Sequence, residues 1–241
     1  MTGFAALHRA GAPLILPNVW DVASARALVK AGFPALGTTS LGVAAAHGLP
    51  DGAGAADAET WQLTRRLAKL PVALTVDIET GSVDAAAAVA AAGAAGVNME
   101  DAMGPAAAHA ALVRSVKRQV PGLFVNARTD TYWQRLGDLA ETLRRVRLYA
   151  DAGADGVFVP GLADAADIAA VVAAVDVPVN VLFLPGRHTV AALADLGVRR
   201  ISTGSLLFRA ALAATVETAT AVRDGLPIRP GIPSYAQVVD Y

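Results

Sequence analysis

The sequence predicts one (β/α)8 barrel of the TIM type, and three observations predict it. Short apolar runs alternate with alanine-rich or amphipathic stretches eight times along the 241 residues, the pattern of parallel strands covered by helices. Ala31-Gly32, Ala92-Gly93, Ala152-Gly153 and Leu196-Gly197 recur where a helix should end and the chain turn back into the sheet. No Gly-x-Gly-x-x-Gly follows the first strand, which weighs against the competing doubly wound open sheet.

The elements follow in order. Residues 14–18 (Leu-Ile-Leu-Pro-Asn) form the first strand, and helix 22–31 follows it. Residues 35–40 form the second strand, and 41–56, rich in Gly, Ala and Pro, read as a loop. A helix over 57–69 leads to the third strand, 72–79, whose period-two alternation puts Asp77 and Glu79 on one face. Helix 84–92 precedes the fourth strand, 96–101, with Asn98 and Glu100 on one face. Helix 106–119 precedes the fifth, 123–130, with Asn126, Arg128 and Asp130 aligned. Helix 138–151, strand 156–160, helix 164–174, strand 178–182, helix 188–195 and strand 199–203 complete the cylinder. Helix 206–223 and a Pro-rich tail end the chain, so that 1–241 reads as one barrel domain with 206–241 as an appendage.

Composition narrows the function. The chain is 54% hydrophobic with 17% charged residues, yet charges interrupt every long apolar run, so no membrane span is expected. No basic, apolar and cleavage-site sequence opens the chain, as a secretory signal would. The absence of Cys excludes disulfides, thiolate metal sites and a cysteine acid, and fits a cytoplasmic protein. A net charge of −1 with both signs scattered lacks the basic stripe of a nucleic-acid binder. The expected partner is a small molecule.

Polar residues collect at the C-terminal ends of the strands, where barrel enzymes build their sites. Asp77, Glu79 and Glu100 lie on neighbouring strands, and oxygen ligands without His or Cys select a hard cation, Mg²⁺ or Mn²⁺. Asp51, in the Gly48-Leu49-Pro50-Asp51 turn, either joins that set through water or serves the turn alone. Arg128 suits a carboxylate or enolate oxygen, or else pairs with Glu100 or Asp130. Thr39 and Ser40 either hold the other end of an acidic substrate or cap their strand. Asn180 either donates to a substrate oxygen or satisfies groups inside the barrel, and Trp20 is a candidate apolar wall. His47 lies in a loop that can reach the site; His109 and His188, near helix starts, read as solvent-facing; Trp61 and Trp133 read as packing residues.

These segments resemble the isocitrate lyase / phosphoenolpyruvate mutase superfamily, from Leu16-Pro17-Asn18-Val19-Trp20-Asp21 to about Thr203. Asp77-Ile78-Glu79-Thr80-Gly81 is similar to the family's Asp-x-(Asp/Glu)-x-Gly metal strand, Asn98-Met99-Glu100-Asp101 to its next acidic strand, and Asn126-Ala127-Arg128-Thr129-Asp130 to its arginine strand. Thr39-Ser40-Leu41 stands at the substrate loop. The resemblance implies Mg²⁺ held directly by Asp77, with Asp51, Glu79 and Glu100 acting largely through water. It implies that Arg128 and the Thr39–Leu41 backbone hold an α-oxo-carboxylate or its enolate. It also implies a homo-oligomer, a tetramer or dimer, in which helix 206–223 packs on a neighbouring subunit. One departure stands out: lyase members carry a Lys-x-Cys-Gly gating loop whose Cys is the acid, and here the place reads Ala102-Met103-Gly104-Pro105-Ala106.

The function expected is an Mg²⁺-dependent lyase that cleaves a C–C bond of a small 2-oxo or 2-hydroxy carboxylate through an enolpyruvate-like intermediate, with Arg128, Asp51 and Glu100 in catalytic roles. Phosphoenolpyruvate mutation or phosphonopyruvate hydrolysis is the alternative. A non-catalytic metabolite-binding barrel is the third reading, and the cost of keeping several acids together opposes it.

Overall fold

A computed structural model describes residues 3–241. A nine-stranded, all-parallel sheet runs β1 (Leu14–Leu16), β2 (Asn18–Val19), β3 (Ala35–Thr38), β4 (Ala73–Asp77), β5 (Gly96–Glu100), β6 (Phe124–Arg128), β7 (Gly156–Val159), β8 (Val179–Leu182) and β9 (Arg200–Ser202). The predicted first strand is the pair β1 and β2, divided at Pro17, which has no N–H to give to a ladder. β1 pairs with β9 and β2 with β3, so this one stretch closes the eight-unit cylinder. Asn18 clasps the seam. Its Nδ2 donates to Thr38 O (2.8 Å), and its Oδ1 accepts from Thr203 N (3.0 Å) and Gly204 N (2.9 Å).

The helices are α1 (Val22–Lys30), α2 (Ser40–Ala46), α3 (Asp57–Leu67), α4 (Val83–Ala91), α5 (Ala106–Gln119), α6 (Thr131–Gln134), α7 (Leu139–Asp151), α8 (Ala165–Ala173), α9 (Val190–Asp195), α10 (Leu206–Asp224) and α11 (Tyr235–Val239). α2 corrects the expectation of a loop over 41–56. Ser40-Leu41-Gly42-Val43-Ala44-Ala45-Ala46 is helical, with Thr39 Oγ1 accepting from Gly42 N at its start. α6 and α11 were not expected either, being too short to carry a helical period.

The main core lies between strands and helices, where the outward faces of the strands (Val76, Val97, Met99, Val125, Val157, Val181) are fully covered. A second cluster of Phe4, Leu14, Leu16, Ala35 and Phe124 involves β1, β3 and β6 with a 3₁₀ turn over Phe4–Leu7. His8 stacks on Phe124 there, with ring centroids 4.6 Å apart. Between this cluster and the strand tops lies a polar layer. Arg200 is wholly buried; its Nη2 reaches Asn98 Oδ1 (3.1 Å), which also accepts from Asn126 Nδ2 (2.8 Å). Among the described residues no helix is long and apolar enough to cross a membrane.

Candidate active site

Strand register sets the geometry of the site. Asp77 on β4 lies opposite Asn98 on β5, and Glu100 lies opposite Arg128 on β6. The second pairing puts a carboxylate beside a guanidinium, and Arg128 Nη1 meets Glu100 Oε2 at 2.7 Å. Arg128 Nε meets Asp130 Oδ1 at 2.5 Å on its other side. The planar fork is thus held between two acids before any ligand arrives.

Glu79 departs from the expected alternation. β4 ends at Asp77, and Glu79 takes a left-handed backbone (φ 52°), so the two acids do not share a strand face. The turn still brings them together: Glu79 N donates to Asp77 Oδ1 (3.2 Å), and Glu79 Oε2 accepts from Gly54 N (2.7 Å) in the loop that follows Asp51. Asp77 N is fixed in turn by Thr38 Oγ1 (2.9 Å).

Asp51, Asp77, Glu79, Glu100, Arg128, Thr39, Ser40 and Leu41 all line one cleft of about 300 Å³ at the C-terminal ends of the strands. Ser40 and Leu41 open α2, where first-turn N–H groups have no partner within the helix. Two expected residues do not line it. Trp20 packs edge-on against Phe208 (5.3 Å), and Asn180 is buried in the barrel with neither amide atom hydrogen-bonded. His47 bonds its own helix at Val43 O, and His109 and His188, expected to face solvent, are buried.

The cleft also recruits residues that sequence reasoning did not place there. Trp133 and Gln134 come from α6, and Phe158, Pro160 and Leu182 from β7, the residue after it, and β8. Trp133, expected in the packing, is 55% exposed. The available signal was its position directly after the arginine strand. Asp101 was equally hidden. Its Oδ2 accepts from Tyr149 OH (2.6 Å) and Arg145 Nη1 (2.7 Å), and its Oδ1 from Met103 N (3.0 Å) and Asp130 N (3.1 Å). This buried carboxylate ties the 102–104 loop to the residue that holds Arg128.

The acids strain against one another. Burial pushes Asp77 above the ordinary carboxylate range; Arg128 pulls it back, while Asp51 and Glu79 push it further up. Burial likewise raises Glu100 to about 7, opposed by Arg128 and reinforced by Asp77, Asp130 and Glu79. Arg128 is raised: burial works against its charge, but Glu100, Asp130 and Asp77 outweigh it. Such a set fits a hard divalent cation, which would relieve the repulsion with oxygen ligands. Among the described residues, no three His, Asp or Glu side chains form a ready metal-ligating group.

The chain is similar to known proteins over most of its length. A family profile described as phosphoenolpyruvate phosphomutase matches residues 4–223. An uncharacterized protein of Mycobacterium tuberculosis is 44% identical, over 98% of this chain and 95% of its own. The 2-methylisocitrate lyase of Bacillus subtilis is 31% identical over 60% of this chain and 54% of its own. A solved structure from Burkholderia cenocepacia J2315, provisionally named a phosphonomutase, superposes with a TM-score of 0.83 at 37% identity, covering 92% of this chain and 96% of that one. With its closed parallel barrel and its acids and arginine at the strand tops, the chain belongs to the phosphoenolpyruvate phosphomutase family, within the isocitrate lyase / phosphoenolpyruvate mutase superfamily.

Proposed function

We propose that the protein is an Mg²⁺-dependent lyase, with Mn²⁺ able to serve, that cleaves a C–C bond of a small 2-oxo or 2-hydroxy carboxylate through an enolpyruvate-like intermediate. The observation that carries this is the facing pair Glu100 and Arg128, with Asp77 one register step below, in a cleft where the acids repel one another. Asp77 is the direct ligand in this reading, with Asp51, Glu79 and Glu100 reaching the ion through water. When bound, Mg²⁺ supplies Lewis-acid stabilisation of the oxyanion that develops. Arg128 holds a carboxylate or enolate oxygen while Glu100 and Asp130 fix its plane.

For a 2-hydroxy acid, a base takes the hydroxyl proton and the carbonyl forms. The C2–C3 bond breaks, and its electron pair is taken up by the carboxyl group that C3 carries in the malates, as an enolate that then takes up a proton at C3. Glu100, facing Arg128 at the strand tops and lining the cleft, is the side chain of this chain that would exchange that proton. Thr39, Ser40 and Leu41 orient the carboxylate end. Purified protein should turn over oxaloacetate, a 2-methylmalate or an alkylmalate only with Mg²⁺ or Mn²⁺ present. No metal-dependent turnover on that panel defeats the reading.

Phosphonate chemistry is favoured by the family's description and by the name of the Burkholderia relative. Phosphorus NMR on phosphonopyruvate separates the two.

The same proposal has one barrel domain per chain, located in the cytoplasm and assembled as a homo-oligomer. Its support is the apolar side of α10 and the tail, where Leu212, Val216, Val222, Leu226 and Tyr235 are exposed. Light scattering at micromolar concentration should return a dimer or tetramer.

A further inference from the structure

We propose, resting on the reading of the cleft as a site for an α-oxo-carboxylate or its enolate, that Asn98 is a further ligand-binding residue whose side-chain N–H donates to an anionic oxygen beside Asp77, and that Arg200 is the positioning residue that aims it. Strand register sets Asn98 on β5 opposite Asp77 on β4, and both line the cleft. Asn98 Oδ1 faces the barrel interior. It accepts there from Asn126 Nδ2 (2.8 Å) and from Arg200 Nη2 (3.1 Å). A guanidinium only donates, so turning the amide over would set its nitrogen against two donors. Nδ2 is therefore held on the opposite side. It has no partner among the described residues, and it is not one of the buried unpaired atoms of the barrel. It is an uncharged donor in a cleft whose one guanidinium among the described lining residues, Arg128, is already held by Glu100 and Asp130.

Arg200 is an unfavourable choice for a purely structural filler. It leaves β9 and reaches β5 across the cylinder, with three strands between them in either direction when β1 and β2 count as one. Its side chain is wholly buried, and Nε and Nη1 have no hydrogen-bond partner among the described residues. Its Cζ lies over the Phe4 ring, 6.0 Å from the centroid, so apolar surface meets the charge on that side. Burial works against that charge. An apolar side chain of similar length would fill the space with less loss of stability. What arginine adds is a donor that spans the barrel and fixes which end of the Asn98 amide meets the cleft. Asn126 completes the support, and Gly156 leaves room for it: a Cβ at 156 would lie 3.0 Å from Asn126 Oδ1.

The test is calorimetry with Mg²⁺ and oxalate on the parent, Asn98→Ala, Arg200→Met and the double variant, with thermal melting alongside. Asn98→Ala should weaken oxalate about ten- to thirtyfold. Mg²⁺ alone should bind it within about twofold of the parent, because the amide presents only N–H groups to the cleft. Arg200→Met should weaken oxalate about fivefold while melting at or above the parent's temperature, since it removes a buried unpaired charge. In the Asn98→Ala background the same substitution should cost less than about a further twofold, because nothing is left to aim. Equal oxalate affinity in the parent and Asn98→Ala overturns the proposal and leaves the enolate site standing. So does a fall in Mg²⁺ affinity that matches the fall for oxalate. An equal loss from Arg200→Met in both backgrounds, or a loss that only follows melting temperature, overturns the role of Arg200. Should Asn98→Ala not fold, unchanged oxalate affinity in Arg200→Met overturns the proposal by itself. If the parent binds no oxalate with Mg²⁺, the site and the proposal fall together.

Discussion

Arg128 shows at the scale of one residue how much was legible and how much was not. Its place at the end of the fifth strand could be read from alternation, and so could its neighbours Glu100 and Asp130. Its engagement by both at once depends on strand register, which the sequence does not print. Arg128→Lys keeps the charge but loses the planar fork. Steady-state kinetics should show kcat/KM falling by about 10²–10³ with little change in melting temperature. Glu100 makes the opposite kind of prediction. Its pKa in the fold, about 7, stands above the ordinary 4.5, so its ionised form costs stability. That cost is fully present above pH 7, shrinks as pH falls and is gone below 4.5. In metal-free buffer Glu100→Gln should therefore be more stable than the parent at pH 8, by about 1–3 kcal/mol, and lose the advantage at pH 4.5 in urea titrations. Glu79 was misread for a physical reason: the strand stops two residues early, and a left-handed residue, not the pleat, returns its carboxylate to the cleft.

At the scale of elements, strands were easier to read than short helices. A buried parallel strand is a run of apolar residues, whereas Ser40–Ala46, with Gly at its third position and little side-chain contrast, has the composition of a loop. Thr39 capping and packing of Val43 and Ala44 make it a helix, and only the second of these depends on the rest of the molecule. The clasp at Asn18 is similar. A polar residue after Pro17 could be noted, but its partners are 185 and 186 residues away. Asn18→Ala should strand the amides of Thr203 and Gly204, and chemical denaturation should show a loss of about 2–4 kcal/mol. Asp101 could not be read at all, because Arg145 and Tyr149, which pay for its burial, lie 44 and 48 residues on.

For the molecule as a whole, the eight-unit count and the gathering of acids at one mouth were available from spacing, because both follow from local periodicity and the fixed hand of parallel crossovers. Burial of the histidines was not. His8 and His109 are driven down to about 4, chiefly by burial, so the fold favours their neutral rings. Their contribution is complete above pH 6.5 and is lost as pH falls from there toward 4, by an order of 2–3 kcal/mol each. Melting curves of Glu100→Gln, which removes one opposing carboxyl and leaves Asp77, should show a decline across that window that continues below pH 4 as Asp101 and Glu141, held low by their partners, take up protons. The division at Pro17 has a consequence for biosynthesis. The first strand to leave the ribosome can pair along β2 as soon as β3 emerges, but β1 must wait for β9, almost two hundred residues later. Until then the nascent polypeptide carries an unclosed edge, and ring closure is a late, long-range event.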